Sequence, residues 1–244
     1  MNIINLKIES INDLANYART NLSSLRKPIR SIVLQFQGLN RYMYLTQPTC
    51  ETELVLADHG DLFVIPYTAP WNWMNESALR YTDWLLDEIF RLFDLPKDLP
   101  IVSTGYSMGG LAALIFPIYS SHKVTACMAN SPVCDLVSHF HERIDLPRTI
   151  LNAFITYPDG LEAGIESHSP LHQVDKMPDI PYWIVAGGAD EEVIKARHSD
   201  RLIEAMKARG LRVTYHDVED MQHWQINRYD VLKEMHAFLK GEFR

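Results

Sequence analysis

Residues 100–119 read PIVSTGYSMGGLAALIFPIY, and the fold turns on how this stretch is parsed. An apolar, β-rich run (100–105) gives way at Gly105 to a single serine, Ser107, two residues before another glycine, Gly109. From 108 to 119 the chain is apolar nearly all round, as a helix packed deep against a sheet must be. In G-x-S-x-G the glycines lack the side chains that would collide in a tight turn from strand to helix. Ser107 can then be held in a strained conformation with its hydroxyl exposed. The helix that starts beside it turns unpaired N–H groups and a positive dipole end toward any negative charge that develops there.

Working outward from this stretch, short β-rich runs recur at 29–36, 62–66, 100–105, 123–129, 181–187 and 211–218, separated by segments of helical period. Residues 76–93 place Leu79, Leu85, Leu86, Ile89, Leu92 and Phe93 on one stripe. Further helices are expected at 191–209, ending at Gly210, and at about 224–241. Such alternation predicts an α/β class: a doubly wound, mostly parallel sheet with helices on both faces, formed by residues 1–244 as a single domain. Residues 131–170 carry His139, Phe140, His141, Phe154, Tyr157 and His168 among prolines without a clean strand, and read as a small lid insertion over one end of the sheet. Residues 1–28 suggest a short strand and a helix that the pattern does not place in the sheet.

Composition narrows the function classes. At 47% hydrophobic and 22% charged, the chain has the apolar mass for a large core. A formal charge of −8 with no basic stripe argues against nucleic acid as a partner. No run approaches the roughly 18 apolar residues of a membrane span, and MNIINLKIES lacks the features of a leader, so a soluble cytoplasmic protein is expected. Cys50, Cys127 and Cys134 are too few and too scattered for a disulfide framework or a zinc site. They read as small core side chains; no metal and no cofactor are expected, and oligomeric state is not legible.

A serine hydroxyl becomes nucleophilic only with a base in reach that a third group orients. In a doubly wound sheet the acid should follow a late strand and the histidine the next one. The run 181–187 leads into Asp190, and the run 211–218 is followed by His223, both beyond the carboxyl ends of their strands where sites form. The expected catalytic residues are therefore Ser107, Asp190 and His223. His216 lies within a strand and reads as packed or paired, Asp217, Glu219 and Asp220 as a solvated loop, and Glu191 as the start of the following helix. For the oxyanion hole, one donor is the N–H of Met108 and the second the N–H of Leu39 or of Gly38, in the loop after an earlier strand. Tyr67, Trp71 and Trp73, beyond the strand at 62–66, could line the substrate pocket or simply pack beneath the lid.

GYSMGG, ANSPVCDL and above all SPLHQVDKMPDIPYWIVAGGADEEV resemble the catalytic domain of prolyl oligopeptidase-type serine hydrolases and their single-domain esterase relatives, within the α/β-hydrolase superfamily. The resemblance covers roughly residues 29–241. Gln37-Gly38 stands where that family usually has His-Gly, and the propeller domain of the larger peptidases is not expected here. The resemblance implies acyl transfer to water from a small-molecule ester, with a short peptide or amide as the alternative substrate.

Overall fold

The computed structural model of the chain describes residues 7–40 and 49–242. Seven strands form one sheet: β1 (Ala18–Thr20), β2 (Ser31–Phe36), β3 (Asp61–Pro66), β4 (Ile101–Tyr106), β5 (Ala126–Asn130), β6 (Tyr182–Gly187) and β7 (Val213–Val218). Their spatial order is β1-β3-β2-β4-β5-β6-β7, parallel throughout except for β1, which runs antiparallel to β3 with Ala18 opposite Pro66. The six expected strands form within a few residues of their predicted bounds. β1 places part of the amino-terminal segment, preceded by a short 3-10 turn over Ile11–Asn16. Residues 1–6 of that segment lie outside the described residues.

Two apolar layers sandwich the sheet because alternate residues of each strand point to opposite faces. Ile32, Leu34, Leu62 and Val64 join the larger core with α2 (Glu76–Leu92), α3 (Met108–Tyr119) and α7 (Ser199–Ala208). Val33, Phe63 and Ile65 join the smaller one with α1 (Glu51–His59) and α8 (Tyr229–Leu239). On α8 the buried Val231, Met235, Phe238 and Leu239 follow helical spacing, and each such side chain stabilises by about 1.5–3 kcal/mol on burial.

Two helical expectations need correction. The segment 191–209 is helical only from Ser199, because the Asp190 carboxylate accepts the N–H groups of Glu192 (2.9 Å) and Val193 (3.0 Å) and holds the chain in a turn. Glu191 therefore sits in that turn and does not open a helix. The last helix starts at Tyr229 rather than near 224, since Trp224 takes a positive φ of 55° and the chain loops until Arg228. Residues 131–170, read from sequence only as lacking a clean strand, contain three short helices: α4 (Leu136–His139), α5 (Leu146–Phe154) and α6 (Leu161–Ser167).

Candidate active site

β2, β4, β5, β6 and β7 end nearly level, with Phe36 beside Gly105, Tyr106 beside Asn130, Asn130 beside Val185, and Gly187 beside Val218. The loops leaving this edge surround one cavity of about 250 Å³. Its lining includes Gly38, Leu39, Trp73, Ser107, His139, Arg143, Glu192, His223 and Trp224.

Ser107 sits between β4 and α3 at φ 57°, ψ −125°, a conformation that costs a non-glycine residue about 1–3 kcal/mol. Its N–H donates to the Asn130 carbonyl (3.0 Å), and its carbonyl accepts from Leu111 (3.1 Å) and Val133 (3.3 Å), so the turn is fixed by backbone alone. The flanking glycines are sterically required. A Cβ on Gly105 would lie 2.1 Å from the Gly109 carbonyl oxygen, and one on Gly109 2.2 Å from that of Phe36. The second contact also shows that the end of β2 crosses the start of α3. That crossing brings Leu39 to the cavity that Ser107 lines.

Asp190 and His223 are joined: Nδ1 of His223 donates to Oδ2 of Asp190 at 2.7 Å. The Asp190 side chain is 1% exposed and that of His223 19%, so the acid is sealed behind the imidazole. Burial alone would raise the Asp190 pKa, but the His223 bond and the N–H groups of Val193 and Glu192 outweigh it and hold the carboxyl below its ordinary range. The two loops touch through Gly187, where a Cβ would lie 2.1 Å from the Met221 carbonyl oxygen. Ser107 and His223 both line the cavity, and no hydrogen bond joins them among the described contacts.

Backbone strain singles out the same place. Among the described residues, seven non-glycine positions have positive φ, and Asn40, Trp73, Ser107 and Trp224 of these line this cavity. Such conformations persist only where the surroundings enforce them, and they concentrate at functional sites.

Of the other residues singled out from sequence, Met108 is the first residue of α3, so its N–H has no acceptor within the helix. The Leu39 N–H donates to no acceptor among the described residues. Gly38 and Leu39 both line the cavity. Trp73 does too, with its indole N–H on Thr149 Oγ1 (3.1 Å). Trp71 and Tyr67 do not line it: Trp71 donates to Asn152 on α5 (2.9 Å), and Tyr67 lies by Arg19 and Tyr81. Their rings are taken up by local packing beneath α5 and beside β1. His216 stacks on Trp183 (4.8 Å), and Asp217 pairs with Lys195 (3.1 Å).

Sequence reasoning missed Asn130, which ties Ser107 to the loop that carries His223. Its carbonyl accepts from Ser107, while its amide donates to the Trp224 carbonyl at 2.7 Å and the Trp224 N–H reaches Ser131 Oγ at 3.3 Å. Asn130→Ala is expected to lower kcat by about 10–100-fold with KM little changed, because misplacing a reacting group by an ångström carries that penalty. Steady-state kinetics on protein whose circular dichroism matches the wild type checks this; an unchanged kcat would show that the loop needs no such tie.

The sequence of residues 97–244 matches the model of a family described as the prolyl oligopeptidase family. No curated protein sequence matches the chain. Among solved structures, an S-formylglutathione hydrolase from Agrobacterium tumefaciens is similar over 92% of this chain and 87% of its own, at 18% identity and TM-score 0.67. An acylaminoacyl peptidase in complex with a chloromethyl ketone is similar over 89% of this chain and 37% of its own (15% identity, TM-score 0.69). A puromycin-hydrolyzing peptidase of Mycobacterium tuberculosis is similar over 89% and 34% (19%, 0.67). The chain thus spans most of the first protein and about a third of each peptidase. At these identities the likeness is one of fold, the α/β-hydrolase fold.

Proposed function

Because the chain belongs to the prolyl oligopeptidase family, and so is a serine hydrolase, we propose that it cleaves carboxylic esters of small molecules through an acyl-enzyme formed on Ser107. The observation that carries this reading is the 2.7 Å Asp190–His223 pair, whose imidazole borders the same small cavity as a serine held at positive φ.

In the proposed reaction, Nε2 of His223 takes the Ser107 proton as the hydroxyl oxygen attacks the acyl carbonyl, and the C–O bond to the alcohol then breaks as His223 returns the proton to it. Asp190 keeps Nδ1 protonated and stabilises the imidazolium. The N–H groups of Met108 and Leu39, with Gly38 allowing the close approach, receive the oxyanion; losing one such donor costs about 3 kcal/mol in the transition state. Water then repeats the sequence on the acyl-enzyme. Residues 131–170 act as the lid, contributing His139, Arg143 and Leu146 to the cavity wall. Three free thiols, two of them buried, suit a reducing cytoplasmic location. No helix among the described residues is long and apolar enough to cross a membrane.

A second reading, a peptidase or amidase acting on short peptides, is favoured by the family match itself. Size helps to separate the two: a cavity of about 250 Å³ lies below the usual 300–1,000 Å³ of drug-sized sites and suits a short acyl group. The test is kcat/KM across 4-nitrophenyl acetate, butyrate and octanoate and an aminoacyl 4-nitroanilide. Acetate and butyrate are expected to exceed octanoate and the anilide by at least about tenfold; a faster anilide would replace the esterase reading with the peptidase one.

A further inference from the structure

Behind the cavity, the lid and the loop before α7 bury a second set of histidines. Nδ1 of His139 lies 2.6 Å from Oε2 of Glu142, and Nε2 of His198 lies 3.1 Å from the same oxygen. The three ligand atoms fall within 4.8 Å of one another, a spacing that a metal ion could use. Protonation argues otherwise. Nδ1 of His198 accepts the backbone N–H groups of Cys134 and Asp135, each at 3.2 Å, so the His198 proton sits on Nε2, facing Glu142. A metal-bound histidine needs the reverse: its ligating nitrogen bare and its other nitrogen donating.

Glu142 is therefore a carboxylate accepting from two imidazoles, and these bonds hold it well below the usual carboxylate range. Burial holds His139 below the ordinary histidine range, so its ring is neutral near pH 7. With its one proton on Nδ1 and committed to Glu142, His139 presents a lone pair at Nε2. That atom has no hydrogen-bond partner among the described residues, nor is it one of the fully buried atoms left unpaired, and the open space His139 borders is the cavity.

The place of His139 in the cavity identifies which half of a substrate it meets. Trp73, Leu146 and His139 are 1%, 1% and 3% exposed, so the wall they form is closed to solvent, whereas the side chains of Arg143 and Glu192, 39% and 54% exposed, line the cavity where it meets solvent. An alcohol leaving group departs first and needs the open side; the acyl part stays behind. Arg143 is bonded to both Asp145 and Glu192, so its charge at the mouth is already neutralised.

We propose that His139 is a specificity-determining residue whose Nε2 accepts a hydrogen bond from a hydroxyl or N–H group on the acyl part of the substrate. The preferred substrates are thus hydroxyacyl or N–H-bearing acyl esters rather than plain alkanoates. The inference rests on the acyl-enzyme reading for the orientation of the substrate.

The test compares 4-nitrophenyl 3-hydroxybutyrate with 4-nitrophenyl butyrate, which share a leaving group and chain length. Wild-type kcat/KM is expected to favour the hydroxy ester at least about tenfold, as a donor meeting a buried acceptor allows. His139→Asn keeps a donor toward Glu142 but lacks the distal acceptor, and should bring the ratio near one; His139→Gln, whose carbonyl can extend to the place of Nε2, should restore part of it. The same pair titrated into Ser107→Ala by tryptophan fluorescence reads selectivity without turnover. A wild-type ratio near one, or a ratio that survives in His139→Asn, overturns the proposal while leaving the hydrolase reading intact. Selective binding to Ser107→Ala that is lost in Ser107→Ala/His139→Asn, alongside a wild type that hydrolyses neither ester, would keep His139 as the selector of the hydroxyl and sink the hydrolase reading instead.

Discussion

Ser107→Ala is expected to lower kcat for 4-nitrophenyl acetate about 10⁶-fold, the loss seen when the nucleophile of a serine protease triad is removed. The substitution deletes one oxygen and nothing structural. The turn at φ 57° is held by the Asn130, Leu111 and Val133 backbone bonds, none of which uses the hydroxyl, so alanine inherits the same conformation. Thermal unfolding should consequently change little while labelling by a fluorophosphonate probe disappears. Retention of even a hundredth of the wild-type rate in a folded variant would remove Ser107 from the reaction. Failure of the wild type to label would point to a binding protein on a hydrolase fold.

Asp190→Asn should lower kcat by about 10⁴-fold, because it reverses the imidazole's proton. Oδ1 of Asp190 accepts from Glu192 and Val193, which fixes which end of an asparagine amide could face them: the carbonyl must, and the NH₂ group must face His223. Nδ1 then has to accept, the proton moves to Nε2, and Nε2 can no longer take one from Ser107. The substitution also has a signature in stability. The folded Asp190 carboxyl titrates below its unfolded value of about 3.9, so as pH falls the unfolded chain takes up that proton first. Its stabilisation is complete above the unfolded value and fades as pH drops through the folded one. The difference in urea-unfolding free energy between wild type and Asp190→Asn should accordingly be largest near pH 6 and shrink below about pH 4. A difference constant across that range would mean that the carboxylate is not specifically stabilised by His223 and the turn.

Much of the catalytic end is legible in the sequence because each proposed catalytic group comes shortly after a strand. The runs ending at Tyr106, Gly187 and Val218 are β-rich, and a parallel sheet delivers the residues just beyond such runs to one edge. Legibility ends where local signal and tertiary contact part company. α7 starts late because a side chain, Asp190, outcompetes the helix for two N–H groups, which periodicity cannot register. The aromatic loop at 67–73 offers three equivalent rings, yet only Trp73 turns into the cavity, through a strained φ of 47° and a bond to Thr149 on α5. Most aromatic and histidine side chains of 131–170 pack against one another: His168, for instance, stacks on Phe154 at 4.9 Å. His139 differs only through Glu142 and His198, and His198 lies 56 residues further along the chain than Glu142. The signal for Asn130 is the ANSPVCDL segment, but its likeness to a family motif says nothing of the carbonyl and amide that Asn130 places between two loops.

The Ser107, Asp190, His223 order along β4, β6 and β7 has a consequence for biosynthesis. A ribosome emits Ser107 well before His223, so at ~5–20 residues per second the nascent polypeptide carries its serine for several seconds or more before the proposed base is made. If His223 is the base, as proposed, a newly made chain would stay inert toward esters until its carboxyl-terminal strands dock, and one terminated before residue 223 would never become active.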